Sequence, residues 1–374
     1  MMQVISFHDK QNWEKVIQRF SHKDVYYFQA YCSLYYLMGD GEPFLAFYEN
    51  HYGNTVCYPF IKRPVNLPFL NNAVPNDYDI ITPYGYGGPL AQNLNKQIID
   101  DFRIQFDEYC RTNNIVSEFI RFNPLLENHQ YLDGFVDVVY DRETVYIDLT
   151  KSKEEIVRKF HKNHRRNLNK AIKNKLEFKA LENQSALLYL DEFYELYNKT
   201  MDKLSASEYY YFSREYLKEL LFGLNNNSMI AAVFLEEKMI AGALCMYENE
   251  FLHYHLGCSD QDFLNLGTNV YQFYNTALWG KQNDLQTFHL GGGHVGRDSL
   301  FEFKHRFNQE GTVKFFIGKK IHNMEKYYSL VSNWEQYYSQ RTSSEFFPAY
   351  RARPAYQSFV KKQVNKEKAT IRQS

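Results

Sequence analysis

The spacing of apolar and polar positions predicts a mixed α/β chain whose two halves repeat one outline. Residues 11–19 and 94–113 carry apolar side chains at helical spacing, and 43–48 and 55–61 alternate as a hairpin. Two strand-like runs follow at 116–122 and 144–149. Residues 153–176 and 186–202 return to helical spacing, with Ile156, Phe160, Leu168, Ala171 and Ile172 forming one apolar stripe. A second hairpin at 229–234 and 239–247 continues into a third strand at 250–257, and a helix at 268–282 comes next. The two hairpins each follow a helical region, which hints at an internal duplication without a residue-by-residue repeat.

The stretch from Gln286 to Phe307 is the densest in chemistry. Leu285, Thr287, Phe288 and Leu290 suit a strand, and Gly291, Gly292 and Gly293 let the backbone turn or come close to another group. Ser299 and Glu302 have capping-box spacing, so a helix is expected from Leu300, with Leu300, Phe303 and Phe307 toward the core. Lys304 lies early in that helix, where the helix dipole disfavours a cation. An anion or polar substrate beside Lys304 and Arg297 would account for it; so would a solvated lysine lying over its neighbours. Gly291-x-Gly293-x-x-Gly296 has the dinucleotide spacing, but the helix begins after the third glycine. The next apolar run, 313–317, ends in Gly318-Lys319-Lys320 with no acid for a ribose, so a nucleotide-binding turn is set aside.

The 374 residues exceed what one core usually holds and suit two domains. A net charge of −1 names no partner, so local charge has to. The segment 158–175 holds eight Lys or Arg and no acid, with Lys162, Arg165, Arg166 and Lys170 among them. Like charges at that spacing repel within a helix, which favours a polyanionic partner: RNA, a diphosphate or an anionic headgroup. A solvated basic face is the alternative. His253 and His255 project from one face of a strand, as a base and its neighbour or as structural histidines; no metal site is expected. Tyr84 and Tyr86 interleave with Gly85, Gly87 and Gly88 in a loop whose backbone can approach a ligand, although a plain crossover reads equally well. Tyr209, Tyr210, Tyr211 and Phe212 read as a buried patch. Five cysteines without a Cys-x-x-Cys pair, no leader-like apolar core and no membrane-spanning run point to a cytosolic protein. From Ser344 the tail is polar and basic, with Lys361, Lys362, Lys366, Lys368 and Arg372, and its last stretch is expected to be mobile.

Taken together, the basic helix, the segment from Met201 to Leu217 with Tyr216, the His253–Gly257 strand and Leu-Gly-Gly-Gly through Phe303-Lys304-His305-Arg306-Phe307 resemble the FemAB-type aminoacyltransferases and their wider GNAT-like kin. Gly88-Pro89 and Arg121-Phe122-Asn123-Pro124 match weaker landmarks. The resemblance implies two GNAT-like domains across a cleft, 1–150 and 151–319, with 320–374 returning to the first. It implies amide-forming acyl transfer, with the lysine of the Phe-Lys-x-x-Phe motif, here Lys304, aiding it. Tyr84, Tyr86, Asn123, Tyr216 and Arg297 join the basic residues as candidate substrate contacts, and His255 or His253 is the candidate acceptor of the amine proton. Where relatives carry an acid in Arg-Phe-Asp-Pro this chain has Asn123, and the basic residues that clamp a nucleotide-sugar diphosphate are missing near Tyr35 and Phe212.

No permanently bound cofactor is expected; the co-substrate is aminoacyl-tRNA or acyl-CoA. Because 262–268 lacks the Gly-rich pyrophosphate turn of CoA-binding relatives, aminoacyl-tRNA is narrowly favoured. The acceptor would be an amine on a peptidoglycan or other cell-envelope precursor, lipid-linked at the membrane surface or not. An acyl-CoA-dependent N-acyltransferase of sugars and a non-catalytic binder of RNA or anionic glycan are the rival readings.

Overall fold

The computed structural model describes residues 2–70, 76–224, 227–343 and 346–354; the basic positions Lys361 to Arg372 lie outside them. The first half runs β1 (Gln3–Ser6), α1 (Lys10–Ile17), α2 (Gln29–Leu37), β2 (Glu42–Glu49), β3 (Thr55–Pro64), β4 (Tyr78–Ile81), β5 (Leu90–Gln92), α3 (Lys96–Thr112), β6 (Ile115–Arg121) and β7 (Asp137–Asp148). After α4 (Lys153–Lys159) and α5 (Lys162–Lys173) come β8 (Glu177–Leu181), α6 (Asn183–Leu188), α7 (Leu190–Leu204), α8 (Arg214–Gly223), β9 (Ser228–Leu235), β10 (Lys238–Glu248) and β11 (Phe251–Ser259). The chain continues through α9 (Thr268–Gln282), β12 (Thr287–Gly291), α10 (Ser299–His305), β13 (Thr312–Ile321) and α11 (Met324–Tyr338).

One sheet joins both halves in the order β1-β2-β3-β4-β6-β13-β7-β12-β11-β10-β9-β8, with β5 on β3. The order reads the same from either end. Each half has three strands leading to a parallel pair, β4 with β6 across α3 and β11 with β12 across α9. Each half then lends its last strand to the other: β7 pairs with β12, and β13 pairs with β6. The two lent strands pair with each other, so backbone hydrogen bonds run unbroken between the halves.

Packing repeats the pattern. Between the halves, Trp13, Ile17, Tyr31 and Leu34 of α1 and α2 share one apolar cluster with Phe193, Tyr197, Leu217 and Leu220 of α7 and α8. On the opposite faces α3 covers the first half through Phe102 and Phe106, and α5, α9 and α10 cover the second through Leu168, Phe273 and Phe301. Helix α11 lies against the first half, where Tyr327 and Trp334 cluster with Val65 and Val116.

Four local readings are corrected. The 153–176 helix is two helices, because Phe160 and His161 are extended and the His161 N–H donates to Arg306 O at 2.7 Å. The 186–202 helix is likewise α6 and α7, and Ile172 stands 56% exposed among the basic side chains. In the tyrosine run only Phe212 is buried; Tyr209 and Tyr210 are half-buried and Tyr211 is exposed.

Candidate active site

The loop between β12 and α10 is built by Asp298, which caps α10 where Ser299 was expected to. Its carboxylate accepts from His294 N (2.7 Å), Val295 N (3.0 Å) and Phe301 N (2.9 Å). A carboxylate answers more loop donors than a hydroxyl and suits the positive end of the helix. Starting α10 one residue early turns its buried face to Phe301, Lys304 and Phe307, leaving Leu300 46% exposed. Lys304 is thereby carried inward.

Lys304 is 6% exposed. Its Nζ donates to Gly292 O at 2.9 Å and lies 5.6 Å from the centre of the Tyr254 ring. Burial lowers its pKa to about 8, with Asp298 opposing the shift. A Cβ on Gly291 would lie 3.5 Å from Lys304 Nζ and 3.8 Å from Tyr86 Oη, so the ammonium and the phenol converge over a glycine with φ +74. Here the glycine matters twice: its conformation disfavours any side chain, and its missing Cβ leaves the amine and phenol open to each other.

Tyr86 connects this point to the histidines. Its ring centre is 5.1 Å from that of His289 and 6.5 Å from that of His253. His253, 1% exposed, directs Nε2 to both carboxylate oxygens of the fully buried Asp24 at 3.0 Å. Asn123 Nδ2 donates to Asp24 at 2.7 Å, and Asn123 Oδ1 accepts from Leu125 N. Asn123 is therefore corrected from a substrate contact to a support: no part of it is exposed and both ends of its amide are engaged. The chain Asn123–Asp24–His253 ties the first half to β11, and it removes His253 Nε2 from proton transfer to solvent or ligand. His289 bonds Thr144 Oγ1 at 2.8 Å, and burial with the nearby His253 and Lys304 holds its pKa well below 6.5.

His255 faces a second group of rings. Its Nε2 is 3.3 Å from Tyr216 Oη, and its ring packs by Tyr31 and Tyr84. Burial, then the charge of His253, lowers its pKa to about 3, which keeps the imidazole neutral near pH 7. A neutral imidazole can accept a proton only weakly at that pKa, so its geometry suits orientation of a ligand better than general-base work. Tyr84 lies against Tyr209 at 5.9 Å between ring centres, and the Tyr31 hydroxyl donates to its carbonyl at 2.6 Å. Arg297 is exposed, held by Glu143 at 2.7 Å, with its guanidinium over the Phe301 ring.

Helix α5 packs directly on the lysine helix. His164 is buried against Phe303 and Phe307 and its Nε2 lies 2.9 Å from Phe303 O, one residue before Lys304. Burial lowers its pKa to about 4. Lys162, Arg165, Arg166 and Lys170 remain exposed on the opposite face. The start of α9 is closed by the same helix: a Cβ on Gly267 would lie 2.3 Å from Asn167 O, so the α5 backbone sits against it. Sequence reasoning missed Asp24 and His164. His164 had a faint signal, since it lies four residues before Leu168 on the buried side of the basic helix.

With this geometry in view, the class is defined by a family match. Residues 158–305 match the family described as acetyltransferase (GNAT) domain, a match that supports an acyltransferase. In fold it is FemAB-like. The crystal structure of FemX superposes with a TM-score of 0.65 at 12% identity, over 88% of this chain and 99% of that one. L-PGS from Bacillus licheniformis follows at 0.55 and 14% identity, covering 83% of this chain and 92% of its own. The C-terminal domain of a putative lysylphosphatidylglycerol synthetase from Agrobacterium fabrum gives 0.54 at 16%, covering 85% and 93%. No curated protein sequence matches the chain. Among the described residues, no helix is long and apolar enough to cross a membrane.

Proposed function

We propose that this acyltransferase moves an aminoacyl group from aminoacyl-tRNA to an amine on a cell-envelope precursor. The carrying observation is the joint placement of Lys304 and α5: a buried amine faces the Gly291–Gly292 turn, and an exposed row of four cations rides on the same helix pair. The closed start of α9 supports the tRNA donor over CoA, because a pyrophosphate cradled by a helix N-terminus needs that end open. FemX and the lysylphosphatidylglycerol synthetases supply fold analogy for envelope substrates.

The reaction joins the acceptor nitrogen to the ester carbonyl carbon. The tetrahedral intermediate collapses by breaking the bond to the ribose oxygen, which leaves with a proton while the amine loses one. Lys304, mainly protonated at neutral pH, donates to the oxyanion as it develops or to a phosphate beside it. Tyr86 Oη orients the same centre, and the cleft aligns amine and ester. Lys162, Arg165, Arg166 and Lys170 hold the polyanionic donor. In this reading the halves 1–150 and 151–319 each supply one wall of that cleft, and the segment from 320 belongs with the first, against which α11 packs.

Thermal unfolding with charged tRNA and, separately, with acetyl-CoA tests the donor. Stabilisation by charged tRNA alone is expected. Stabilisation by acetyl-CoA alone would replace this reading with the CoA-dependent N-acyltransferase.

A further inference from the structure

Helix α10 has seven residues, too few to fix its own position by internal hydrogen bonds. The carbonyls from Glu302 to Arg306 are nevertheless all answered. Those of Glu302, Lys304 and His305 accept from the N–H groups of Arg306, Phe307 and Asn308. The two left over are taken by the start of α5. His164 Nε2 lies 2.9 Å from Phe303 O, and the His161 N–H donates to Arg306 O at 2.7 Å. Lys304 stands between these two anchors.

His164 is buried and has no part in the chemistry so far. It is 2% exposed, with its ring centre 5.1 Å from that of Phe303 and 4.3 Å from that of Phe307. Phe303 O can only accept, so Nε2 carries the ring proton. Nδ1 has no partner among the described residues, and a second proton there would bury an unanswered N–H. Burial, with Arg306 and His161 nearby, lowers the pKa to about 4 and keeps the ring neutral. One donor at one carbonyl is what this place asks of the side chain. The opposite face of the same helix turns Lys162, Arg165, Arg166 and Lys170 to solvent. We propose that His164 is a positioning residue for Lys304: by holding Phe303 O it sets the amine against Gly292 O and locks the lysine helix to the helix that carries the cations. The proposal rests on the reading of Lys304 as the lysine that aids transfer. A histidine that only fills space could be exchanged for another ring without loss; a donor could not.

Two variants separate the donor from the ring. His164→Phe keeps a ring and removes the N–H, whereas His164→Gln keeps an N–H near the place of Nε2 and removes the ring. Lysine enriched in carbon-13 at Cε is titrated by NMR in the free protein, with Lys304 assigned as the signal that Lys304→Met lacks. The Lys304 pKa should stay at about 8 in wild type and in His164→Gln. In His164→Phe it should rise by about one unit or more, as the amine loses its buried seat. In transfer from charged tRNA, kcat should fall about tenfold or more in His164→Phe while KM for the tRNA stays within about threefold, because the cations of α5 are untouched. His164→Gln should recover most of that loss. A His164→Phe that titrates and turns over as wild type does, one that fails to fold, or a His164→Gln as impaired as His164→Phe would each overturn the proposal. The titration needs neither donor nor acceptor, so a wild-type protein that transfers nothing from tRNA would refute the aminoacyl reading and leave the placement of Lys304 standing.

Discussion

Replacing Lys304 with methionine should make the protein more stable near pH 7 while abolishing turnover. The ammonium's pKa is lowered from 10.5 to about 8, mainly by burial. At about 1.4 kcal/mol per pH unit, burying that charge costs about 3 kcal/mol at neutral pH. The hydrogen bond to Gly292 O returns about 1 kcal/mol, so Lys304→Met should gain about 2 kcal/mol. The sign of the pH dependence follows from proton counting. Below pH 8 both folded and unfolded states carry the proton, and the penalty is complete. Between pH 8 and 10.5 the unfolded chain holds more proton than the folded one, so wild-type stability rises with pH and the variant's advantage shrinks. Urea unfolding of both proteins at pH 7 and pH 10, with the difference compared between the two, measures this. A variant less stable than wild type at pH 7, or an advantage that does not shrink toward pH 10, would refute the buried-charge reasoning. A more stable variant with full turnover would leave the charge without a purpose.

Asp24→Ala should cost about 3–5 kcal/mol in urea unfolding, because it strands His253 and the Asn123 amide between the halves; a loss under 1 kcal/mol would show that the chain is not a tie. Gly267→Ala should cost about 1–3 kcal/mol, since φ is +84 and the new Cβ meets the Asn167 carbonyl. A neutral Gly267→Ala in the same assay would mean that the start of α9 is open. Neutralising Lys162, Arg165, Arg166 and Lys170 together to glutamine should weaken tRNA binding and reduce the slope of log affinity against log salt by about 3. Unchanged slope would move the donor off α5.

Much of the outline was legible because alternation and helical spacing are local. The 268–282 helix coincides with α9, and both hairpins lie within a few residues of β2–β3 and β9–β10. The duplication hinted at by those hairpins has a structural counterpart in the palindromic strand order. What failed was decided by distant partners. Ser299 fits a capping box on spacing, but Asp298 wins because its carboxylate answers two loop N–H groups as well as the first turn of α10. Asn123 stood in a landmark motif, yet its role depends on Asp24, ninety-nine positions away, and on His253 beyond that. Ile172 extended an apolar stripe on paper, but α5 is anchored by His164, Leu168 and Ala171 and rotates Ile172 outward.

One transfer experiment addresses the donor and the lysine together. The protein is incubated with tRNA carrying a labelled amino acid, or with labelled acetyl-CoA, and with a membrane-derived pool of amine-bearing cell-envelope precursors; label entering an amide of the precursor is counted. Label should pass from charged tRNA, disappear in Lys304→Met, and not pass from acetyl-CoA. Transfer from acetyl-CoA alone, or equal transfer by the Lys304→Met variant, would contradict that expectation.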